Sequence, residues 1–311
     1  MSKGPMSDNE RAARSLGVKR DLKLKFAAMG VWWLVGIMFS YLVLSFVTQW
    51  SFLINMAVSL LTGFLLMLVF YYLVLPRLNR EGAFYREILT RFNREGFTPE
   101  LAAQLDQRLR TQDFSSNLYR NYYNNYLELL AVYNLNLHNY GETMRLLDSF
   151  DMNQMQQAMS YDSGRIHMTN YHYIRLITAA EIGDISRLEY YYGAASPCFA
   201  QCRGVNKLVD AMIDSSRAMR EVAFARAALS RGDREEAFRN LDEADRVLAP
   251  YSSEPATKQD YCNISARTAA LRGDRDTAER LFDEAYSLAK NNFQRETVLR
   301  DKARVLGTSE A

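Results

Sequence analysis

Two decapeptides decide how this chain is read: ALSRGDREEA at residues 228–237 and AALRGDRDTA at residues 269–278. Each carries an Arg-Gly-Asp trio, Arg231 to Asp233 and Arg272 to Asp274, and the copies are offset by 41 residues. Self-similarity at such a period is the mark of a stacked-repeat architecture. Around both copies the pattern is of amphipathic helical segments punctuated by Gly, with few prolines and no alternating strand-like runs;. From Pro76 onward the chain is expected to be all-helical.

Small residues recur at matched positions in both copies. Ala225, Gly232, Ala237 and Ala244, followed by Pro250, fall at the same steps as Ala266, Gly273, Ala278 and Ala285, with Leu241 and Phe282 as the bulky positions of the second helix. In this the chain resembles the tetratricopeptide-repeat superfamily. It departs from that family where Ala228 and Ala269 replace the usual first-helix aromatic, and where a loop near Tyr251 to Lys258 lengthens the usual spacing of roughly 34 residues;. Gly183-Asp184, Gly141-Glu142 and Gly96 mark further, divergent helical hairpins upstream, although Leu188 and Leu146 occupy the first Ala position. The segment from Asn291 to Leu306 reads as a closing helix, with Arg300, Lys302 and Arg304 turned to solvent, because a solenoid needs a polar end.

Upstream the composition changes. Residues 26–75 contain no Lys, Arg, Asp or Glu. Two apolar runs, 26–47 and 52–75, flank the turn Thr48 to Ser51, and at about 1.5 Å per residue each is long enough for a hydrocarbon core of roughly 30 Å;. A transmembrane helical hairpin is therefore expected. Lys19, Arg20, Lys23 and Lys25 before it, with Arg77 and Arg80 after it, imply an integral, multi-pass protein with both termini cytoplasmic. Small-xxx-small spacing at Gly36 with Ser40, and at Ser59 with Gly63, is where two such helices would touch. The expected organisation is a basic leader (1–25), the hairpin (26–75) and a tetratricopeptide-like α-solenoid (76–311), all-α throughout.

Charge and chemistry narrow the function. The leader carries seven basic against three acidic residues and the remainder 31 against 33, so the helical region has no basic footprint for nucleic acid;. No phosphate loop, dinucleotide fingerprint, paired-histidine zinc helix or nucleophile elbow is present, and no enzyme activity or cofactor is expected. Cys198, Cys202 and Cys262 are too few for a disulfide framework. Cys198 and Cys202 are four apart, but nothing adjacent completes a metal set, His167 and His172 being distant in sequence;.

Tyr119, Tyr122, Tyr123, Tyr126 and Tyr133, like Met152, Met155 and Met159, have helical spacing. Core packing accounts for both series, and a tyrosine-lined groove for a peptide is the sharper reading of the first. The resemblance places exposed first-helix residues on the binding surface, here Arg226, Asn263 and Arg267, where an acidic peptide or terminal carboxylate would bind. Solvated arginines that keep a helix soluble are the plainer account. The expected function is a membrane-anchored scaffold recruiting a protein or peptide partner, itself a membrane protein in one version. The alternative is an accessory subunit of a membrane complex in which the hairpin makes the main contact.

Overall fold

The computed structural model describes residues 27–45 apart from 28 and 44, 52–72 apart from 70, 80–114 apart from 113, and 120–307. The basic leader, the turn at Trp50 and Tyr119 lie outside the described residues. All regular structure among the described residues is helical, and the chain divides into two units, Met1–Arg86 and Glu87–Ala311.

In the first unit, α1 (residues 29–43) lies against α2 (Phe52–Val69). They approach at glycine: a Cβ on Gly36 would sit 3.3 Å from the Gly63 Cα and 2.8 Å from Leu66 Cδ1, and one on Gly63 would sit 2.7 Å from Ile37 Cγ1. Ser40 and Ser59 are buried there, and Ser59 Oγ donates to the Asn55 carbonyl at 2.7 Å. The outer faces leave Met38 and Phe39 about two-thirds exposed.

Among the described residues, however, no helix is long and apolar enough to cross a membrane. The second apolar run forms an 18-residue helix, α2, about 27 Å long against roughly 30 Å of hydrocarbon;. Tyr71 and Tyr72 beyond it adopt π-helical geometry;. The expected integral, multi-pass placement therefore does not stand. Counting uncharged residues measured an apolar run, and the α-helix described within it, α2, does not meet the length and apolarity a span requires.

The second unit begins within α3 (Arg80–Glu95) and continues through α4 (Pro99–Thr111), α5 (Arg120–Asn136), α6 (Tyr140–Asp148) and α7 (Met152–Ala158). It then forms α8 (Asp162–Ile182), α9 (Ile185–Cys202), α10 (Lys207–Ser230), α11 (Arg234–Leu248), α12 (Lys258–Arg272), α13 (Arg275–Leu288) and α14 (Asn292–Leu306). Helices α8/α9, α10/α11 and α12/α13 are hairpins, and α8, α10, α12 and α14 pack on one another in that order. The all-α architecture is compatible with a helical repeat.

The same local chemistry makes each hairpin turn. Gly183, Gly232 and Gly273 adopt φ of +79°, +81° and +85°, which costs glycine little and ends the first helix;. The aspartate that follows caps the next helix, with Asp184, Asp233 and Asp274 each accepting from the backbone N–H three residues on at 2.9–3.1 Å;. Upstream the turn moves. Gly141 lies inside α6, and His138 takes the left-handed position instead, at φ 59°.

The repeated small residues line the seams. Ala225, Ala228, Ala237, Ala244, Ala266, Ala278 and Ala285 have no exposed surface, and Leu241 and Phe282 fill the space between helices. Met155 is buried beneath α8, and Tyr126 is fully buried against Phe114 and Tyr122. Phe282→Ala should lower unfolding stability by about 3–5 kcal/mol through the cavity it leaves. Gly273→Ala, with open space around the Cβ but a left-handed backbone, should cost only about 1–2 kcal/mol;. Urea denaturation monitored by circular dichroism measures both, and equal costs would contradict this packing account.

Candidate functional site

The binding residues inferred from the repeat do not lie on an open surface. Arg267, on α12, is only 6% exposed. Its guanidinium donates to Asp301 Oδ2 on α14 at 2.8 Å and pairs with Glu181 Oε1 on α8. Arg304 is exposed, as expected, and its guanidinium also reaches back to lie 2.7 Å from Glu181 Oε2 and donate to the Tyr140 hydroxyl at 2.7 Å. Asn263 Nδ2 donates to Asp301 Oδ2 at 3.1 Å, and His138 Nε2 lies 3.0 Å from Asp301 Oδ1. The left-handed backbone at His138 thus places its ring on a buried carboxylate, the kind of locally strained residue that collects at built sites.

The electrostatics follow from this geometry. Burial works to raise Asp301, but Arg267 and the other donors overcome it and hold the carboxyl well below its usual range;. Burial likewise works against Arg267, yet Asp301 and Glu181 keep its guanidinium firmly protonated. Glu181 is held down mainly by Arg267 against the same burial penalty. Burial, aided by the neighbouring Arg267 and Arg304 charges, pulls Arg226 below its ordinary value despite Glu181. The Tyr140 hydroxyl is pushed up to about 12 by burial and by Glu181.

Two guanidiniums, those of Arg267 and Arg304, share two carboxylates, Glu181 and Asp301, and the Glu181 charge also bears on Arg226 without pairing with it. Arg226 is half-buried and has no hydrogen-bond or ion-pair partner among the described residues. A cavity of about 130 Å³ opens beside the network, with Tyr140, Tyr173, Asp260, Asn263 and Met219 in its wall. Asn263 is fixed by its bond to Asp301, which leaves its buried Oδ1 without a donor. That volume holds about four waters or one side chain, well below the roughly 300 Å³ at which cofactor pockets begin.

The tyrosine series separates. Tyr123 is half-buried against Phe114, Tyr126 is core, and Tyr133 stacks on Phe293, so no continuous tyrosine groove forms from them. A second polar cluster joins His167 Nδ1 to Glu128 Oε2 at 2.7 Å, with Asn170 donating to Oε1 at 2.5 Å. Among the described residues, no group of three or more His, Cys, Asp or Glu side chains is placed to hold a metal ion. Sequence reasoning missed His138, Tyr140, Glu181 and Asp301. Their spacing on separate helices resembles any solvated face, and only the stacking of α8, α12 and α14 brings them together.

No protein-family model matches the chain, and no curated protein or solved structure matches it either.

Removing one partner from a buried ion network strands the other's charge, so Asp301→Ala should cost about 3–5 kcal/mol. The pH dependence has a definite sign. A carboxyl depressed in the folded state contributes stability above its unfolded pKa of about 3.9 and loses it as the pH falls below that value;. The urea midpoint of the unchanged chain should drop steeply on acidification below about pH 4. Asp301→Asn should flatten that limb, and an unchanged acid limb would contradict the assignment.

Proposed function

We propose that the Glu87–Ala311 unit is a protein-interaction scaffold that holds a peptide segment of a partner along its α8–α10–α12–α14 layer. An acidic side chain of that peptide pairs with Arg226. The observation that carries this reading is the half-buried guanidinium of Arg226, which has no hydrogen-bond or ion-pair partner among the described residues, on a layer whose Asn263 and Arg267 line a side-chain-sized cavity. A charged donor that is half-buried and unpaired gains about 1.5–3 kcal/mol from a carboxylate acceptor, enough to fix register in an extended ligand. The size of the cavity favours a peptide anchor over a small-molecule cofactor. Arg267 is a positioning residue in this account, holding Asn263 and Asp301 in place, while Arg226 and Asn263 make the contact.

The test is selection from a displayed peptide library on the full chain, repeated with Arg226→Ala and Asn263→Leu. Peptides carrying an acidic residue should be enriched, and Arg226→Ala should weaken their binding about tenfold or more while shifting the thermal midpoint little. Saturable peptides whose affinity ignores both substitutions, or no saturable peptide at all, would sink the proposal.

The large exposed apolar side chains of α1 and α2, among them Leu34, Phe39, Leu61 and Phe64, favour a second reading;. In it the chain is an accessory subunit of a larger complex, joined through the α1–α2 hairpin. Gly36→Leu with Gly63→Leu should then abolish recovery of the complex by crosslinking, whereas Arg226→Ala should not; the reverse pattern supports the peptide scaffold.

A further inference from the structure

The last turn of α9 carries two thiols on one face. Cys198 Sγ and Cys202 Sγ lie 3.7 Å apart, Cys198 half-buried and Cys202 fully buried, and both are reduced. Residues four apart on an α-helix have Cα atoms about 6 Å apart. That lies inside the roughly 4.4–6.8 Å Cα range that a disulfide spans, but Cβ atoms four apart on a regular helix lie about 5–6 Å apart against the roughly 3.5–4.5 Å the bond needs, so closing it requires the last turn of α9 to unwind. The turn has slack. Pro197 within α9 has no N–H to offer the Gly193 carbonyl, so the rung just before the thiols is absent;. An added Cβ on Gly193 would meet nothing within 4 Å, so that side of the helix is open.

We propose that Cys198 and Cys202 are a peroxide-oxidisable dithiol that closes to an intrahelical disulfide at the end of α9. Cys198, the sulfur a small hydroperoxide can reach, attacks one peroxide oxygen as the thiolate. The O–O bond breaks, Cys198 becomes a sulfenic acid, and the departing hydroxide leaves as water with the proton Cys198 gave up. Cys202 then attacks the Cys198 sulfur. The S–O bond breaks and a second hydroxide leaves as water with a proton from solvent. Two electrons pass from the pair to one hydroperoxide, and a dithiol reductant reverses the change.

The surroundings suit these roles. The hydrogen bond between the sulfurs lowers Cys202 to about 6, assisted by Arg165, and holds the other proton of the pair on Cys198;. The pair therefore keeps one proton near neutral pH, and its passage from Cys198 to Cys202 frees the outer sulfur as the attacking thiolate;. Closing the bond draws Cys202 toward Cys198 and away from the Arg165 carbonyl on α8, 3.7 Å from its sulfur, so oxidation acts on the α8/α9 seam. Cys262 supplies an internal control: it is fully buried, and burial pushes its thiol up to about 11.

The full chain is treated with hydrogen peroxide, quenched, unfolded and alkylated, and its intact mass and tryptic peptides are measured. The expected result is loss of two hydrogens within the peptide spanning residues 188–203, protection of Cys198 and Cys202 from alkylation, and recovery with dithiothreitol. Cys262 should stay alkylatable and oxidise at least about tenfold more slowly. In Cys202→Ser, dimedone should trap a sulfenic acid on Cys198, and Cys262→Ser should leave the disulfide unaffected. Three thiols that stay reduced, oxygen gained on Cys198 of the unsubstituted chain without a cross-link, or a disulfide formed only between chains would each overturn the proposal.

Discussion

The buried guanidinium of Arg267, clamped between Glu181 and Asp301, is the constraint around which the second unit is arranged. It ties α8, α12 and α14 together across residues far apart in the chain. Taking these charges out of water is expensive, and the network offsets that cost only because nearly every oxygen and nitrogen finds a partner. The arrangement is directional, since a sliding of α14 by one turn would strand Asp301 from Arg267, His138 and Asn263 together. Buried ion networks are weak sources of net stability, and their better-attested use is to select one register among similar packings. Stacked helices with interchangeable alanine seams need such a selector.

Alanine seams and the charge network divide the work. Residues such as Ala237, Ala244, Ala278 and Ala285 let the paired helices approach closely, while Leu241 and Phe282 fill what remains;. That packing is local to each hairpin and carries no information about which hairpins lie side by side. The polar contacts between first helices supply it. They also leave Arg226 with a charge and no acceptor, and Asn263, in the wall of a side-chain-sized cavity, with an acceptor and no donor. The site is thus a by-product of the same contacts that order the stack.

A similar economy holds at the end of α9. Pro197 would be costly in an ordinary helix interior, yet one turn from the helix end it loosens the segment that carries Cys198 and Cys202;. Cys202 belongs to the apolar core with Leu188, Ala195 and Phe199, so its sulfur packs as a small hydrophobe while keeping a thiol neighbour;.

What the amino-acid sequence determined by itself is what depends on neighbours a few positions away. Helical periodicity, the Gly-Asp turns at 183–184, 232–233 and 273–274, and the alanine seams of the last two full hairpins are all set within a window of about 40 residues;. The close approach of Gly36 to Gly63 is of the same kind, because small residues on two neighbouring apolar runs permit contact;. Tertiary structure decided the rest. Arg267 and Asp301 look like any solvated pair of charges until helices 34 residues apart are stacked, and only then do they become a buried network with a cavity beside it. Local pattern was also silent on distant pairing: Arg304, placed by pattern at the surface and exposed there, reaches Glu181 on α8 as well. The reason is common to each case. A residue type reports what it costs to bury a side chain, but which partner repays that cost depends on which distant segment arrives next to it.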